Sequence, residues 1–405
     1  MIYVHVPFCR SFCTYCDFYS EVAAKCSGKS GRNAQENLFG RFAVAVSKEL
    51  AVRKGDISHI VDTLYIGGGT PSVLPLSFFS SLASALHSAG HTGSFREFTV
   101  EVNPDDIVEK GESYVEGLLE LGVNRISMGV QSFDDSLLRW MNRRHDSDAA
   151  RKAYSILENA GVENISIDLI YGISGLSDNG WRRTLEQALT VSSRGRLPSH
   201  ISSYQLSVEP GSALAGLVEQ GKYKEASDED CRRQYDILCR EMAGAGYCHY
   251  EISNFALHGY EAVHNSAYWR HVPYLGLGPG AHSFLPYCES SAEAGEDCSG
   301  QKHVCAVRRW NKSDLNAYLD AAAAGNFNSV SEFEELGPEE MAMEKIMLSL
   351  RTSCGIDGNF LEEHCNRTAL DKALADGRLK KTPNGKICIP EGHFFVSDGI
   401  VSDIL

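Results

Sequence analysis

Positive charge is what this sequence is shortest of. Its 405 residues carry 38 Lys and Arg against 53 Asp and Glu, a formal net charge of −15. Neutralising phosphates takes a basic surface, so no nucleic-acid partner is expected. Arg139, Arg143 and Arg144 are left as local anion sites. A long apolar run is missing too, and strand-like sequence starts at Met1, so neither a membrane span nor a secretory or transit peptide is expected. The 13 cysteines are not short in number but lack pairing: the ten beyond residue 16 are scattered singly at irregular spacing. A chain of this length needs no disulfide staples, so these are expected to be buried or incidental thiols in the reducing cytoplasm.

What the chain does have is the run HVPFCRSFCTYCDFYS, with Cys9, Cys13 and Cys16 at C-x3-C-x2-C spacing just after the β-branched stretch Ile2–Val6. One short loop thus presents three thiolates, soft ligands suited to zinc or to iron–sulfur clusters. A closed zinc site takes four ligands, usually from two paired knuckles, and no second knuckle follows. A three-thiolate zinc site completed by His5 is one reading. The other is a [4Fe–4S] cubane, which normally takes one cysteine per iron. Three ligands then leave one iron open to a substrate or cofactor. The run resembles the signature of the radical S-adenosylmethionine (SAM) superfamily. That resemblance implies an open iron that chelates the amino and carboxylate groups of SAM, and a cluster electron that splits its sulfonium bond.

Candidate strands at 2–6, 63–66, 98–102, 125–128, 166–170 and 201–206 alternate with amphipathic helical stretches at 35–53, 76–89, 113–121, 149–160 and 181–192. Such βα repeats indicate an α/β fold, a parallel sheet wrapped by helices with its chemistry at the carboxyl ends of the strands. The polar and Gly-rich motifs fall there: the cysteine loop after the first strand, Gly67-Gly68-Gly69-Thr70-Pro71-Ser72 after the second, Glu101 in the third, Gln131 after the fourth, Asp168 in the fifth. Six units rather than eight predict an open, partial (β/α)6 TIM-like barrel, the fold that the radical SAM resemblance implies. Alternation stops near Pro210. The predicted domains are a core barrel over 1–215, an accessory region over 216–335, and a C-terminal α+β part that ends in a winged-helix-like appendage over 336–405. The appendage is read from a helix at 338–350, a shorter helical pair, a strand at 385–389 and a second β-like run at 394–396. Two loose stretches, 26–32 and 289–301, read as loop insertions.

Glycines at a strand end let a ligand approach backbone groups that side chains would screen. The loop at 67–72 carries neither GxxxxGK nor a helix-opening GxGxxG, so nucleotide phosphate is disfavoured. On the resemblance, Gly68, Gly69 and Thr70 contact the methionine end of SAM. A carboxylate at Glu101 needs hydrogen-bond donors, and the ribose hydroxyls of SAM are suitable; a structural role beside Asn103-Pro104 is the alternative. Gln131, Arg143 and Asp168, within SMGVQSF, MNRRH and IDLIYG, resemble the oxygen-independent coproporphyrinogen III oxidase branch, where the equivalent residues touch a second SAM. Each is otherwise a member of a barrel-rim salt bridge. The same resemblance places Tyr3 and Tyr15 in the SAM pocket.

Two features depart from the oxidase. Its signature continues to a fourth cysteine where this chain has Phe18, and its long extension ahead of the cluster is not expected here. Both resemble instead the haem chaperone family HemW, whose HNxxYW pattern is met by His264-Asn265-Ser266-Ala267-Tyr268-Trp269. Imidazole is an axial ligand for haem iron, and Tyr and Trp offer flat faces to a porphyrin. His264 is therefore the expected haem ligand, with Cys248, His249, His271 and His282 as alternatives. The loop at 276–280 is expected to close over the SAM pocket. The resemblance implies a cytoplasmic protein that binds a [4Fe–4S] cluster, SAM and haem, and passes haem to apoproteins of respiratory, membrane-associated type. It implies an electron donor as a further partner. Oxidative decarboxylation of coproporphyrinogen III is the competing expectation.

Overall fold

The computed structural model describes residues 1–22, 32–56, 61–286 and 304–405. Of the two predicted insertions, 26–31 and 289–301 lie outside these residues. Nine strands form the main sheet: β1 Ile2–Val6, β2 Thr63–Gly68, β3 Glu97–Val102, β4 Arg125–Gln131, β5 Ile165–Tyr171, β6 His200–Gln205, β7 Cys248–Glu251, β8 Asn254–Ala256 and β9 Leu275–Leu277. Their order is β9-β1-β2-β3-β4-β5-β6-β8-β7. The six predicted strands lie side by side in chain order and all parallel. β9 adds in parallel outside β1, and the antiparallel hairpin β7–β8 extends the β6 edge. Among the described residues no pairing joins β7 to β9, and the architecture is the open partial barrel expected.

Strand alternation decides what each face does. Ile2, Val4 and Val6, Leu64 and Ile66, Phe98, Val100 and Val102, Ile126, Met128 and Val130, and Ile165, Ile167 and Leu169 are all buried in one core with the surrounding helices. The residues between them form the inner face, and they are polar: Thr63 and Tyr65, Glu97, Thr99 and Glu101, Arg125 and Ser127, Ser166 and Asp168, His200, Ser202 and Tyr204. A barrel of this class usually fills its interior with Val, Ile and Leu. This one encloses a polar interior instead.

Capping fixes where the helices start, above the carboxyl ends of the strands. Asn103 accepts from the Asp105 N–H with Pro104 in the first turn, Asp146 accepts from Ala149 and Ser177 from Gly180. The short helices Pro104–Lys110 and Asp135–Trp140 were not expected from periodicity. At the C-terminal end, helix Pro338–Leu350, strand Ile356–Asp357, helices Gly358–His364 and Arg367–Ala375, and strands Lys380–Lys381 and Lys386–Cys388 follow in winged-helix order. The second β-like run is not a strand. Residues Glu391–Val396 form a 3-10 turn, because Phe394 is buried edge-on against the His249 ring, 5.1 Å away, rather than pairing with a neighbouring strand.

Candidate functional site

A cavity of about 1000 Å³ opens at the carboxyl ends of the strands and runs down the polar interior. Cys9, Cys13 and Cys16 all line it. Their loop is tied on two sides. Backbone bonds from Gly69 N to the Val6 carbonyl (2.8 Å) and from Thr70 N to the Phe8 carbonyl (2.7 Å) join it to the glycine loop. Only glycine permits this at position 69, where a Cβ would stand 2.7 Å from the Phe8 oxygen. On the other side Thr14 N donates to the Met141 carbonyl (3.0 Å), Thr14 Oγ1 to the Trp140 carbonyl (2.9 Å) and Asn142 Nδ2 to the Phe12 carbonyl (2.7 Å). Asn142 does this from a left-handed backbone, φ 57°. The clamp by 140–142 was not foreseen, since no local spacing marks contacts made across about 130 residues.

Thiol chemistry and geometry test which group these cysteines suit. Cys9 Sγ lies 3.4 Å from Thr70 Oγ1, and Arg143 Nη1 lies 3.4 Å from Cys13 Sγ. Burial pushes the Cys9 thiol up and that of Cys16 to about 12, so binding a metal must displace their protons. His5 is closed as a fourth ligand. Its Nδ1 is 3.0 Å from the Tyr3 hydroxyl and its Nε2 2.8 Å from the Tyr19 carbonyl, and the ring is buried. Among the described residues, no three His, Cys, Asp or Glu converge as a single ion requires. Three thiols spread around one cavity, with no fourth protein ligand among the described residues, fit a cubane with one open iron better than a closed zinc site.

Deeper in the cavity, Glu101 accepts from the Tyr65 hydroxyl at Oε1 (2.7 Å) and from Gly68 N at Oε2 (3.1 Å). Burial raises its carboxyl to about 7 against the pull of these two donors. Gln131, Arg143 and Asp168 line the same cavity. Gln131 sits at a register break in the β4–β5 pairing with φ 68°, an uncommon backbone for a residue that is not glycine, at the cavity wall. Arg143 donates to the Gly129 carbonyl (2.5 Å), and both Asp168 oxygens lie 3.2 Å from Ser127 Oγ. Burial raises the Asp168 carboxyl as well. Tyr15, Gly68, Gly69 and Thr70 complete the predicted residues that share the cavity.

Two predicted residues lie elsewhere. Tyr3 does not line the cavity; its ring stands behind Tyr65, centroids 6.1 Å apart, with its hydroxyl on His5. His264 is fully buried, with Nδ1 2.7 Å from Thr63 Oγ1 and Nε2 3.0 Å from the Tyr268 hydroxyl. Both of its ring nitrogens are thus engaged within the protein. From the same run it is Asn265 that reaches the cavity. Of the alternatives, His249 is engaged by Glu391 (3.1 Å) and His271 by Glu344 (2.9 Å), Cys248 is exposed, and His282 is exposed and stacked on Trp310. The 276–280 loop does not close over the cavity. It begins as β9, where a Cβ at Gly276 would meet the His282 carbonyl at 1.9 Å, so its glycines serve close backbone packing. Arg125, buried on the cavity wall, was missed entirely. Its signal was the alternation of RISMGV, in which a strand buried on both faces nevertheless carries a charge.

The model of the radical SAM superfamily matches residues 3–188. The chain is 30% identical over 373 residues to "Heme chaperone HemW" of Synechocystis sp., covering 92% of this chain and 82% of that protein. It is 30% identical over 369 residues to "Heme chaperone HemW" of Bacillus subtilis, covering 90% and 87%. Among solved structures it is similar to coproporphyrinogen III oxidase (HemN) from Escherichia coli, with a TM-score of 0.76 at 20% identity over 99% of this chain and 89% of that one. At that identity the likeness concerns the fold.

Proposed function

The chain belongs to the HemW family of the radical SAM superfamily, and from that premise we propose that it is a haem chaperone. It holds a [4Fe–4S] cluster on Cys9, Cys13 and Cys16 with SAM beside it, binds haem, and hands the haem to apoproteins, respiratory and membrane-associated ones among them. The observation that carries this reading is the likeness to haem chaperones along nearly the whole chain. Phe18, standing where the oxidase signature has its fourth cysteine, favours it over the oxidase.

When bound, the cluster supplies an electron at low potential, delivered by a partner protein. The chain's own residues bind and orient. Gly68, Gly69 and Thr70 let the methionine end of SAM approach the backbone beside the thiolates. Glu101 accepts hydrogen bonds from the ribose hydroxyls in place of those from its present donors, and burial keeps its affinity for a donor high. Gln131, Arg143 and Asp168 face a second ligand across the cavity. Haem ligation by His264 goes through Nε2. Thr63 at Nδ1 orients the ring, as the outer partner of a metal-bound histidine does, and the Tyr268 hydroxyl has to leave Nε2 first.

Anaerobically reconstituted protein, titrated with haemin and separately assayed with coproporphyrinogen, SAM and a reductant, tests the reading. Stoichiometric haem uptake with a defined Soret band and no protoporphyrinogen is the expected result. Robust conversion with only nonspecific haem uptake would overturn it in favour of the oxidase.

A further inference from the structure

Arg125 opens β4 on the inner face, where its relative exposure is 1%. Among the described residues it makes no ion pair, and its Nε, buried, has no hydrogen-bond partner. Yet the side chain lines the cavity, as Ser127, Ser202, Tyr204 and Asn265 do. An isolated buried guanidinium is expensive to desolvate, and proteins retain one where an anion completes it. Glu101 and Asp168 are near enough to feel its charge but are not paired with it. A cavity wall with a free planar fork of donors and several hydroxyls suits a carboxylate, which accepts two parallel N–H bonds.

That carboxylate does not come from the SAM at the cluster. SAM has one carboxylate, and in the proposed function its methionine end would be held by Gly68, Gly69 and Thr70 beside the cysteine loop. Arg125 springs from the foot of β4, four residues below Gly129, whose carbonyl anchors Arg143 beside the cysteine loop; at about 3.3 Å per residue the two α carbons stand about 13 Å apart. Asn265 links this depth to the HNSAYW run, the part of the chain tied to haem in the proposed function.

We propose that Arg125 binds a carboxylate of a ligand seated beneath the cluster-bound SAM, in a compartment also walled by Ser127, Ser202 and Asn265. Two molecules carry that chemistry: a tetrapyrrole, which the proposed function brings, through a propionate, and a second SAM, which the resemblance to the oxidase branch implies, through its amino-acid end. The inference rests on that function for these sources, not for the site itself.

The test uses the full chain with its cluster reconstituted, as wild type, Arg125→Gln and Arg125→Lys, with iron content and circular dichroism as controls. Each protein is titrated with haemin, with haemin dimethyl ester, whose propionates are blocked, and with SAM. If the source is a propionate, wild type binds haemin about 10- to 100-fold more tightly than the ester, the effect of one charge-assisted pair. Arg125→Gln then loses the difference and Arg125→Lys keeps part of it. If the source is a second SAM, wild type takes up two per chain and Arg125→Gln one, with haemin binding unchanged. Should Arg125→Gln fail to fold, the haemin-to-ester ratio and SAM count in wild type and Arg125→Lys decide. A haemin-to-ester ratio and a SAM count that do not change with residue 125 overturn the inference while leaving haem binding, and so the chaperone reading, intact. No specific haem uptake by wild type, with a SAM count that falls in Arg125→Gln, sinks the chaperone reading and leaves the Arg125 site standing.

Discussion

Replacing Glu101 by glutamine should flatten the pH dependence of stability of the ligand-free protein. Burial lifts the Glu101 carboxyl from 4.5 to about 7, with the Tyr65 hydroxyl and Gly68 N–H as its donors. Between those two values the folded protein keeps a proton that the unfolded chain has released. The contribution of this group is therefore full below pH 4.5, declines as pH rises to about 7, and stays low above it. At about 1.4 kcal/mol per pH unit the decline is at most about 3–4 kcal/mol. Water entering the open cavity lowers it to about 1–2 kcal/mol. Glutamine keeps the shape and one acceptor oxygen but has no proton to release. Urea unfolding of both proteins at several values between about pH 5 and 8 should show the variant gaining on wild type by that amount as pH rises. Glu251 also has a carboxyl raised by burial, but both proteins contain it and its effect cancels in the difference; Asp168, whose charge helps to raise the Glu101 carboxyl, is relieved by the substitution and so adds to the gain in the same direction. Stability curves that run parallel across the range would refute the reasoning.

Three further outcomes are expected. Reconstituted protein should hold about four irons per chain; Cys9→Ala, Cys13→Ala and Cys16→Ala should each abolish this, and Asn142→Ala, which frees the Phe12 carbonyl, should speed cluster loss in air. Stoichiometric zinc with no iron chromophore after strictly anaerobic isolation would end the cluster reading. Glu101→Ala should weaken SAM binding about 5- to 30-fold, the loss of one or two hydrogen bonds, as read from the EPR change of the reduced cluster; an unchanged dissociation constant removes Glu101 from the site. Tyr268→Phe removes the hydroxyl that occupies Nε2 of His264 and should speed haemin uptake, while His264→Ala should shift the Soret band. If neither the rate nor the band moves, the haem ligand lies elsewhere.

Local sequence carried the barrel and the cysteine loop because both are written in neighbouring residues: period-two strands, capped helices and C-x3-C-x2-C within eight positions. Glu101, Gln131 and Asp168 were legible for the same reason, since a strand end in a parallel sheet has a known place. His264 was legible as a motif but not as a geometry. Its partner Thr63 is 201 positions away and pairs with it only through the fold. Arg125 was invisible to motif reading, because one charged residue at a strand start looks like a surface position until the sheet curves around it. The 276–280 glycines misled because a backbone approach to a ligand and one to another strand demand the same residue. Phe394 misled because β-like composition also suits a turn that packs one aromatic ring inward.

The division of labour between the two faces of these strands bears on how the sequence can change. Hydrophobic packing, and with it the folding of the barrel, rests on the outward residues such as Ile66, Val100, Met128 and Ile167. Of the inward residues, Tyr65, Glu101, Ser127, Asp168 and Ser202 border a ligand space rather than a core. Selection can therefore rewrite the residues that border the ligand space, exchanging a serine for a threonine for instance, while the hydrophobic packing of the shell stays as it is. Lineages with the same barrel are then free to diverge in what they hold while keeping the same shell. The same independence makes the interior of this chain a tractable place for a library, and its outer face a poor one.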